Sequence, residues 1–412
     1  GPTPESRFQS TPLMINGALY TTAGTRRAAV ALDAATGELL WMYRLEEGER
    51  GETAPRRLSG RGLTYWDDGD SGIILYVTPG YQLVALNAET GLPVANFGNS
   101  GIVDLKQNID QDLEPTSEIG LHAAPIVAGN TIVIGAAHRP GGAPPSRENV
   151  KGYIRGFDLR TGDRQWIFHT TPTADEFGND SWQDGSWRYT GNTGVWGQMT
   201  IDAELGMAYL PVEMPTNDYY GGHRLGDNLF SDSLVALDLE TGERKWSFQT
   251  THHDVWDWDL PAAPVLVDIT VDGRDIKAIT QVSKQGFVYT FDRVTGDPVW
   301  PIEERPVPQE TNMPGEVPAA TQPFPTRPAP FDYQGVTIDD LVDFTPEIRR
   351  MAVEAVSDFT LGPLFTPPTR PVEGVTRGTI MRPPPGGTAG WAGAAADPET
   401  GMLYVPSVTG TF

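Results

Sequence analysis

Residues 31–41 read ALDAATGELLW, and the same frame returns as GFDLRTGDRQW at 156–166, ALDLETGERKW at 236–246 and TFDRVTGDPVW at 290–300. A fifth copy, ALNAETGLPVA at 85–95, keeps the turn and lacks the tryptophan. The shared pattern is a small or apolar residue, x, Asp or Asn, two residues, Thr-Gly, three residues and Trp. An apolar pair ends one strand, and the Asp or Asn side chain can accept from backbone N–H groups in the turn. Gly37, Gly91, Gly162, Gly242 and Gly296 supply the positive φ that a tight hairpin needs. Tryptophan then lies on the returning strand, where its large face can pack against a neighbouring sheet. Chance repetition of turn chemistry does not account for five copies that share their strand context as well.

Successive repeat glycines are 54, 71, 80 and 54 residues apart, which suits four-stranded units of roughly 40–45 residues with insertions between them. A related half-unit, DAELGMAYL at 202–210, recurs as DPETGMLYV at 397–405. Radially repeated four-stranded sheets make a β-propeller, so the fold class is all-β. About six blades' worth of sequence is present. Residues 1–412 are expected to form one propeller unit, incomplete at both ends. Residues 301–388 interrupt the pattern with proline-rich runs such as FTPPTRP and MRPPPGG. Within this excursion TPEIRRMAVEAV offers Thr345 as N-cap and Pro346 at the first helical position, so one short helix is expected there.

The bulk composition agrees: 46 glycines, 36 prolines and 11 tryptophans in 412 residues suit short strands joined by tight turns. A formal net charge of −24 excludes nucleic acid as a partner, because phosphate binding needs a basic surface. With no cysteine there is no disulfide, no thiol chemistry and no covalent haem attachment. No run of 18 apolar residues is present to span a membrane. The opening GPTPESRF lacks a charged-then-apolar leader.

The chemistry concentrates in HHDVWDWD at 252–259, which packs two of the six histidines, three carboxylates and two tryptophans into eight residues. Together with the Thr-Gly-x-x-x-Trp repeats, this segment resembles the pyrroloquinoline quinone (PQQ) dehydrogenases, eight-bladed propellers with tryptophan-docking motifs. HHDVWDWDLPAAP is similar to the membrane glucose dehydrogenases of that family. The resemblance implies a tricyclic quinone in the central funnel beside a divalent cation, usually Ca²⁺. A substrate hydroxyl is then oxidised to a carbonyl as hydride passes to the quinone C5 carbon. Asp257 matches the catalytic base, and Lys284, in SKQGFVYTFDR, matches a basic residue touching the quinone's reactive carbonyls. Trp196, in GNTGVWGQM, matches the indole floor beneath the ring. Arg61, in GRGLTYW, and Gln9, in FQSTPLMINGALY, match cofactor-contacting positions. Asp254, Asp259, His252 and His253 read as structural partners, since adjacent histidines on a strand point to opposite faces.

The chain departs from the pattern in three places. APRRLSGRG stands where methanol-oxidising members carry adjacent cysteines, which favours the sugar- or polyol-oxidising branch. His138-Arg139-Pro140 stands where a metal-ligating glutamate is expected, with Glu148 nearby, so the metal set becomes Asp257 and Glu213 with Asn217 as a fallback, hard oxygen ligands of the kind Ca²⁺ prefers. Gly390 replaces a side chain just before Trp391, itself a candidate pocket wall. The resemblance implies a periplasmic PQQ-dependent alcohol or aldose dehydrogenase that acts on a small-molecule alcohol or sugar and passes electrons to an external acceptor, ubiquinone or cytochrome c. The rivals are a non-enzymatic propeller scaffold and a family member with a decayed cofactor site.

Overall fold

The computed structural model describes residues 8–67, 69, 72–139 and 146–412. Four complete antiparallel sheets of four strands follow one another along the chain. The first comprises Leu13–Ile15, Ala18–Ala23, Ala28–Asp33 and Leu39–Tyr43, and the second Thr64–Asp67, Gly72–Val77, Gln82–Asn87 and Ile102–Asp104. The third runs through Ile126–Ala128, Thr131–Ile134, Ile154–Asp158 and Arg164–Phe168, the fourth through Thr200–Asp202, Met207–Pro211, Ser233–Asp238 and Arg244–Gln249. A fifth sheet has three strands, Val265–Val271, Arg274–Val282 and Val288–Asp292. A two-stranded start of a sixth, Ala395–Asp397 with Met402–Tyr404, follows the excursion. First strands of successive sheets lie side by side, second against third and third against fourth, as the innermost strands of a propeller do.

The repeat explains how blades hold together. In each turn the Asp or Asn oxygen accepts from two backbone amides: Asp238 Oδ1 takes Glu240 and Thr241 N–H at 3.1 and 3.0 Å. The repeat glycines adopt φ between +70° and +80°. Three of the four repeat tryptophans cross to the next blade and cover its turn. Trp41 donates to Ala88 O at 2.8 Å, Trp166 to Leu239 O at 2.9 Å and Trp246 to Arg293 O at 3.2 Å. The acceptor always follows the turn's Asp or Asn by one residue. Where the fifth copy ends in alanine, Val103 and Phe97 cover the next glycine, Gly162, instead.

The core fills the wedges between blades rather than one central volume. On the strand Ser233–Asp238, Leu234 and Ala236 pack toward the fifth blade while Val235 and Leu237 pack toward the third. A strand buried on both faces reads as a continuous apolar run, as SLVALD does. Pro298 limits the fifth blade. It makes only an isolated bridge with Phe291, as Pro93 does with Leu86 in the second blade, because proline brings no N–H to a ladder. After Pro93 the chain loops and resumes with Ile102–Asp104. After Pro298 it enters the excursion, which holds the hairpin Ile302–Pro306 with Thr321–Pro325 and the helix Pro346–Val356. Thr345 Oγ1 accepts from Ile348 N at 3.1 Å to cap that helix. The hairpin, the helix Glu49–Glu52 and the short turns around Asn179–Arg188 have no counterpart in the sequence reading.

Candidate active site

Topology brings the chemistry to one face. In an antiparallel blade, the lead-in to the first strand and the turn between second and third strands lie at the same end. Gln9, Arg61, His122, Trp196 and Trp391 each stand three or four residues before the first strand of their blade. Asp257 and Asp259 occupy the lead-in to the fifth blade. His138, Glu213 and Lys284 follow second strands of the third, fourth and fifth blades. One end of the propeller therefore collects both sets.

Lys284 is the hub of the acidic side. Its buried ammonium donates to Asp257 Oδ1 at 2.9 Å, to the Asp257 carbonyl at 2.7 Å and to Asp259 Oδ1 at 2.5 Å. Burial alone would lower this lysine, but Asp257 and Asp259 outweigh it and hold it charged, above the ordinary lysine range. Burial pushes the Asp257 carboxyl well up, Lys284 pulls against that, and Asp259 and Asp218 add to the rise. Its side chain stays about one-quarter exposed, so it remains within reach of a ligand. The second oxygen of Asp259 accepts from the Trp196 indole N–H at 2.5 Å, which orients that ring.

The basic side is short of counter-charge. The Arg61 guanidinium lies 5.1 Å from the Trp196 ring centre and 4.2 Å from that of Trp391. Its Nε and Nη1, the Arg56 Nε and the His122 Nδ1 are buried without a hydrogen-bond partner among the described residues. Burial, with Arg56 and Arg27 nearby, pulls Arg61 down to about 9. The same causes keep His122 neutral, its pKa well below the usual value, and its ring lies parallel to Trp196 with centroids 6.3 Å apart. Gln9, Arg56, Arg61 and His122 border a cavity of about 740 Å³. Asp257 and Lys284 do not line it; Arg61 and His122, which face Trp196 as well, are the link. Arg56 lies within electrostatic reach of Glu213, Asp259, Asp218 and Asp257, so basic and acidic sides belong to one site. Buried donors without acceptors are costly, and here they call for a flat ligand carrying negative charge.

The remaining letters of HHDVWDWD are scaffolding. Trp256 and Trp258 stack at 5.4 Å and pack edge-on against Phe365. Asp254 accepts both their backbone amides at 2.7 Å. Burial, with Asp254 and Asp259 beside it, pushes the Asp232 carboxyl well up, and both its oxygens are buried without a hydrogen-bond partner among the described residues.

The expected metal trio is not assembled as a cage. One oxygen of Glu213 is bonded to His138 Nδ1 at 2.9 Å, and Asn217 Oδ1 accepts from Tyr219 N at 3.2 Å. Among the described residues no three His, Cys, Asp or Glu side chains gather to hold an ion. Glu213 and Asn217 are thus each held by another partner, as Asp257 is by Lys284. Glu148 is exposed beside Arg147, and Pro140 lies outside the described residues. Around Gly390 an added Cβ would meet nothing within 4 Å. Arg56, His122 and Asp218 were not singled out from the sequence. For His122 a signal existed: its blade-equivalent position matches those of Arg61 and Trp196.

An indole, arginine donors without acceptors and a lysine-bridged carboxylate pair thus share one end of a propeller. Comparison with known proteins gives the family. The family profile described as "PQQ: Glucose/ethanol/alcohol dehydrogenase, beta-propeller domain" matches residues 1–412. The chain is 32% identical to the quinoprotein glucose dehydrogenase of Escherichia coli over 94% of its own length and 48% of that protein's. It is 29% identical to the glycerol dehydrogenase large subunit of Gluconobacter oxydans, over 98% and 53%, and 28% identical to the quinate/shikimate dehydrogenase of Acinetobacter baylyi, over 96% and 50%. The chain thus spans about half the length of these relatives. Among solved structures, a quinohemoprotein alcohol dehydrogenase of Pseudomonas putida superposes with a TM-score of 0.69 at 23% identity, covering 100% of this chain and 52% of that one, which speaks to fold. The protein belongs to the PQQ-dependent glucose/alcohol dehydrogenase family.

Proposed function

We propose that this protein, with PQQ bound, oxidises a hydroxyl of a small alcohol, polyol or sugar to a carbonyl, with Asp257 as the base. The observation that supports this most is the convergence of Asp257 and Lys284 with the Trp196 floor, next to arginine donors that lack acceptors. Arg61 and Arg56 suit the carboxylates of a planar quinone, and the indoles of Trp196 and Trp391 suit its faces. A bound quinone would supply the hydride acceptor, with Arg61 and Arg56 to hold its carboxylates and Trp196 to hold its face. Asp257 takes the hydroxyl proton onto its carboxylate, and its raised pKa makes it the stronger base for that transfer. Lys284 stabilises negative charge that develops on an oxygen beside it. Relatives named for glucose, glycerol and quinate/shikimate point to a polyhydroxylated substrate. Electrons then leave to an external quinone or cytochrome c, and the family resemblance favours the periplasm. No helix among the described residues is long and apolar enough to cross a membrane.

The test is reconstitution with PQQ, with and without Ca²⁺, followed by dye-linked oxidation of alcohols, polyols and sugars. Asp257→Asn should lower kcat by roughly 10²–10⁴-fold and leave quinone affinity nearly unchanged. Trp196→Ala should weaken quinone affinity about tenfold. Undiminished turnover in Asp257→Asn removes the base from this scheme, and a parent protein that binds no quinone removes the scheme itself.

A further inference from the structure

The excursion between the fifth and sixth blades grips HHDVWDWD at His252, His253, Trp256 and Trp258. Gln322, fully buried, mimics a strand partner for His252: its Nε2 donates to the His252 carbonyl at 2.7 Å and its Oε1 accepts the His252 amide at 2.8 Å. Glu304 takes the His252 ring at 3.1 Å. Glu316 reaches deeper. One of its oxygens bonds His253 Nε2 at 2.6 Å and the other accepts from Gly221 N at 2.6 Å. The His253 and Glu316 side chains are 1% and 2% exposed, so this pair is held away from water. Further along, the Thr366 carbonyl accepts from the Trp256 indole at 2.8 Å.

Glu316 is also the foremost counter-charge of Arg224, which is fully buried. Arg224 donates to the carbonyls of Thr216, Asn217 and Asp254 and to Asn228 Oδ1. The Glu316 carboxylate thus ties the His253 ring to Gly221, and its charge faces Arg224, which holds the Asp254 carbonyl just before Asp257. The segment needs such bracing. His253 and Asp257 both sit in the left-handed region, at φ +47° and +60°, where residues other than glycine are held only by their surroundings. His253 Nδ1 faces the Gly226 carbonyl at 2.8 Å while Nε2 faces the carboxylate. A carbonyl on one side and a carboxylate on the other pin the ring from two sides.

We propose that Glu316 is a positioning residue for the reaction: through His253 and Arg224 it fixes residues 253–257 in the conformation that presents Asp257 to substrate, so the excursion governs turnover rather than cofactor affinity. The proposal rests on Asp257 being the base. Glu316 touches neither cavity nor Lys284, and its influence runs entirely through the backbone it holds. Replacing it with glutamine keeps the shape and removes the charge, so the charge-assisted bond to His253 and the counter-charge facing Arg224 are both weakened.

The test uses the full chain reconstituted with PQQ. For Glu316→Gln, kcat is expected to fall on the order of 10- to 100-fold, as for a reacting group displaced by about an ångström. Quinone affinity, read by tryptophan fluorescence quenching, and KM are expected to stay within about threefold. Glu303→Gln, which alters an exposed ion pair on the same excursion, serves as the control and should match the parent. A kcat within twofold of the parent overturns the proposal. So does a parallel loss of kcat and quinone affinity, which marks collapse of the pocket rather than displacement of its base. If Glu316→Gln does not fold, His253→Gln carries the same comparison; if neither folds, these residues are scaffold and the proposal fails. A parent that does not turn over overturns the functional reading instead.

Discussion

Asp257 shows how one residue's chemistry is set by residues far from it in sequence. Burial and the carboxylates of Asp218 and Asp259 raise its pKa, and Lys284 opposes them. A base works only when ionised, so kcat/KM should climb with pH through that raised pKa. Removing a repelling carboxylate favours the ionised form. Asp218→Asn is therefore expected to move the acid limb of the kcat/KM profile to lower pH, and a limb that stays or moves upward contradicts the assignment. Asp257, Lys284 and Trp196 stand out in the sequence because each sits in a contiguous, unusual stretch. The His138–Glu213 bond is invisible there, since its halves lie 75 residues apart and neither has a distinctive neighbourhood. The two tryptophans of HHDVWDWD carry no assigned role in the sequence. Their burial against Phe365 makes them core.

At the scale of the element, the repeat is both a turn and a socket. The hairpin needs glycine for its positive φ, and in three blades the glycine also leaves room for the preceding blade's indole. A Cβ on Gly242 would lie 2.6 Å from Trp166 Cδ2, whereas one on Gly37 would meet nothing within 4 Å. Gly37→Ala should cost only the left-handed penalty of about 1–2 kcal/mol, while Gly242→Ala should add an overpacking cost of about 1–3 kcal/mol. Equal losses in denaturant unfolding would show that the docking contact carries no energy. The turn, the strands beside it and the direction of the tryptophan were all legible, because period and turn chemistry are local. The socket was not, because it depends on which blade comes next in space.

For the whole molecule, buried imidazoles couple stability to pH. Burial, with Arg61, Arg56 and Arg27, holds His122 well below the ordinary histidine value of 6.5, and burial with Arg224 lowers His223 to about 4. The unfolded chain binds these protons first, so each histidine contributes stability above pH 6.5 that is lost as pH falls through its folded value. Raised carboxyls such as Asp232 and Asp257 act in the opposite sense, so the informative quantity is a difference. His122→Gln and His223→Gln should each narrow the drop in Tm between pH 7.5 and 5 relative to the parent. An unchanged or wider drop would mean that these rings are not buried neutral.

The sequence by itself determined the all-β class, the blade repeat, its turn chemistry and the residues of HHDVWDWD, GNTGVW and SKQG, because those signals rest on neighbours within a dozen positions. Only the tertiary structure decided that Arg56, Arg61 and His122 share one site with Trp196 and leave buried ring and guanidinium nitrogens there without hydrogen-bond partners. It also decided that Glu213 is engaged by His138 and that the excursion's Glu316 reaches His253. Contacts of that kind come from closing blades around an axis. The free energy that selects them lies between segments tens of residues apart, where no local pattern records it.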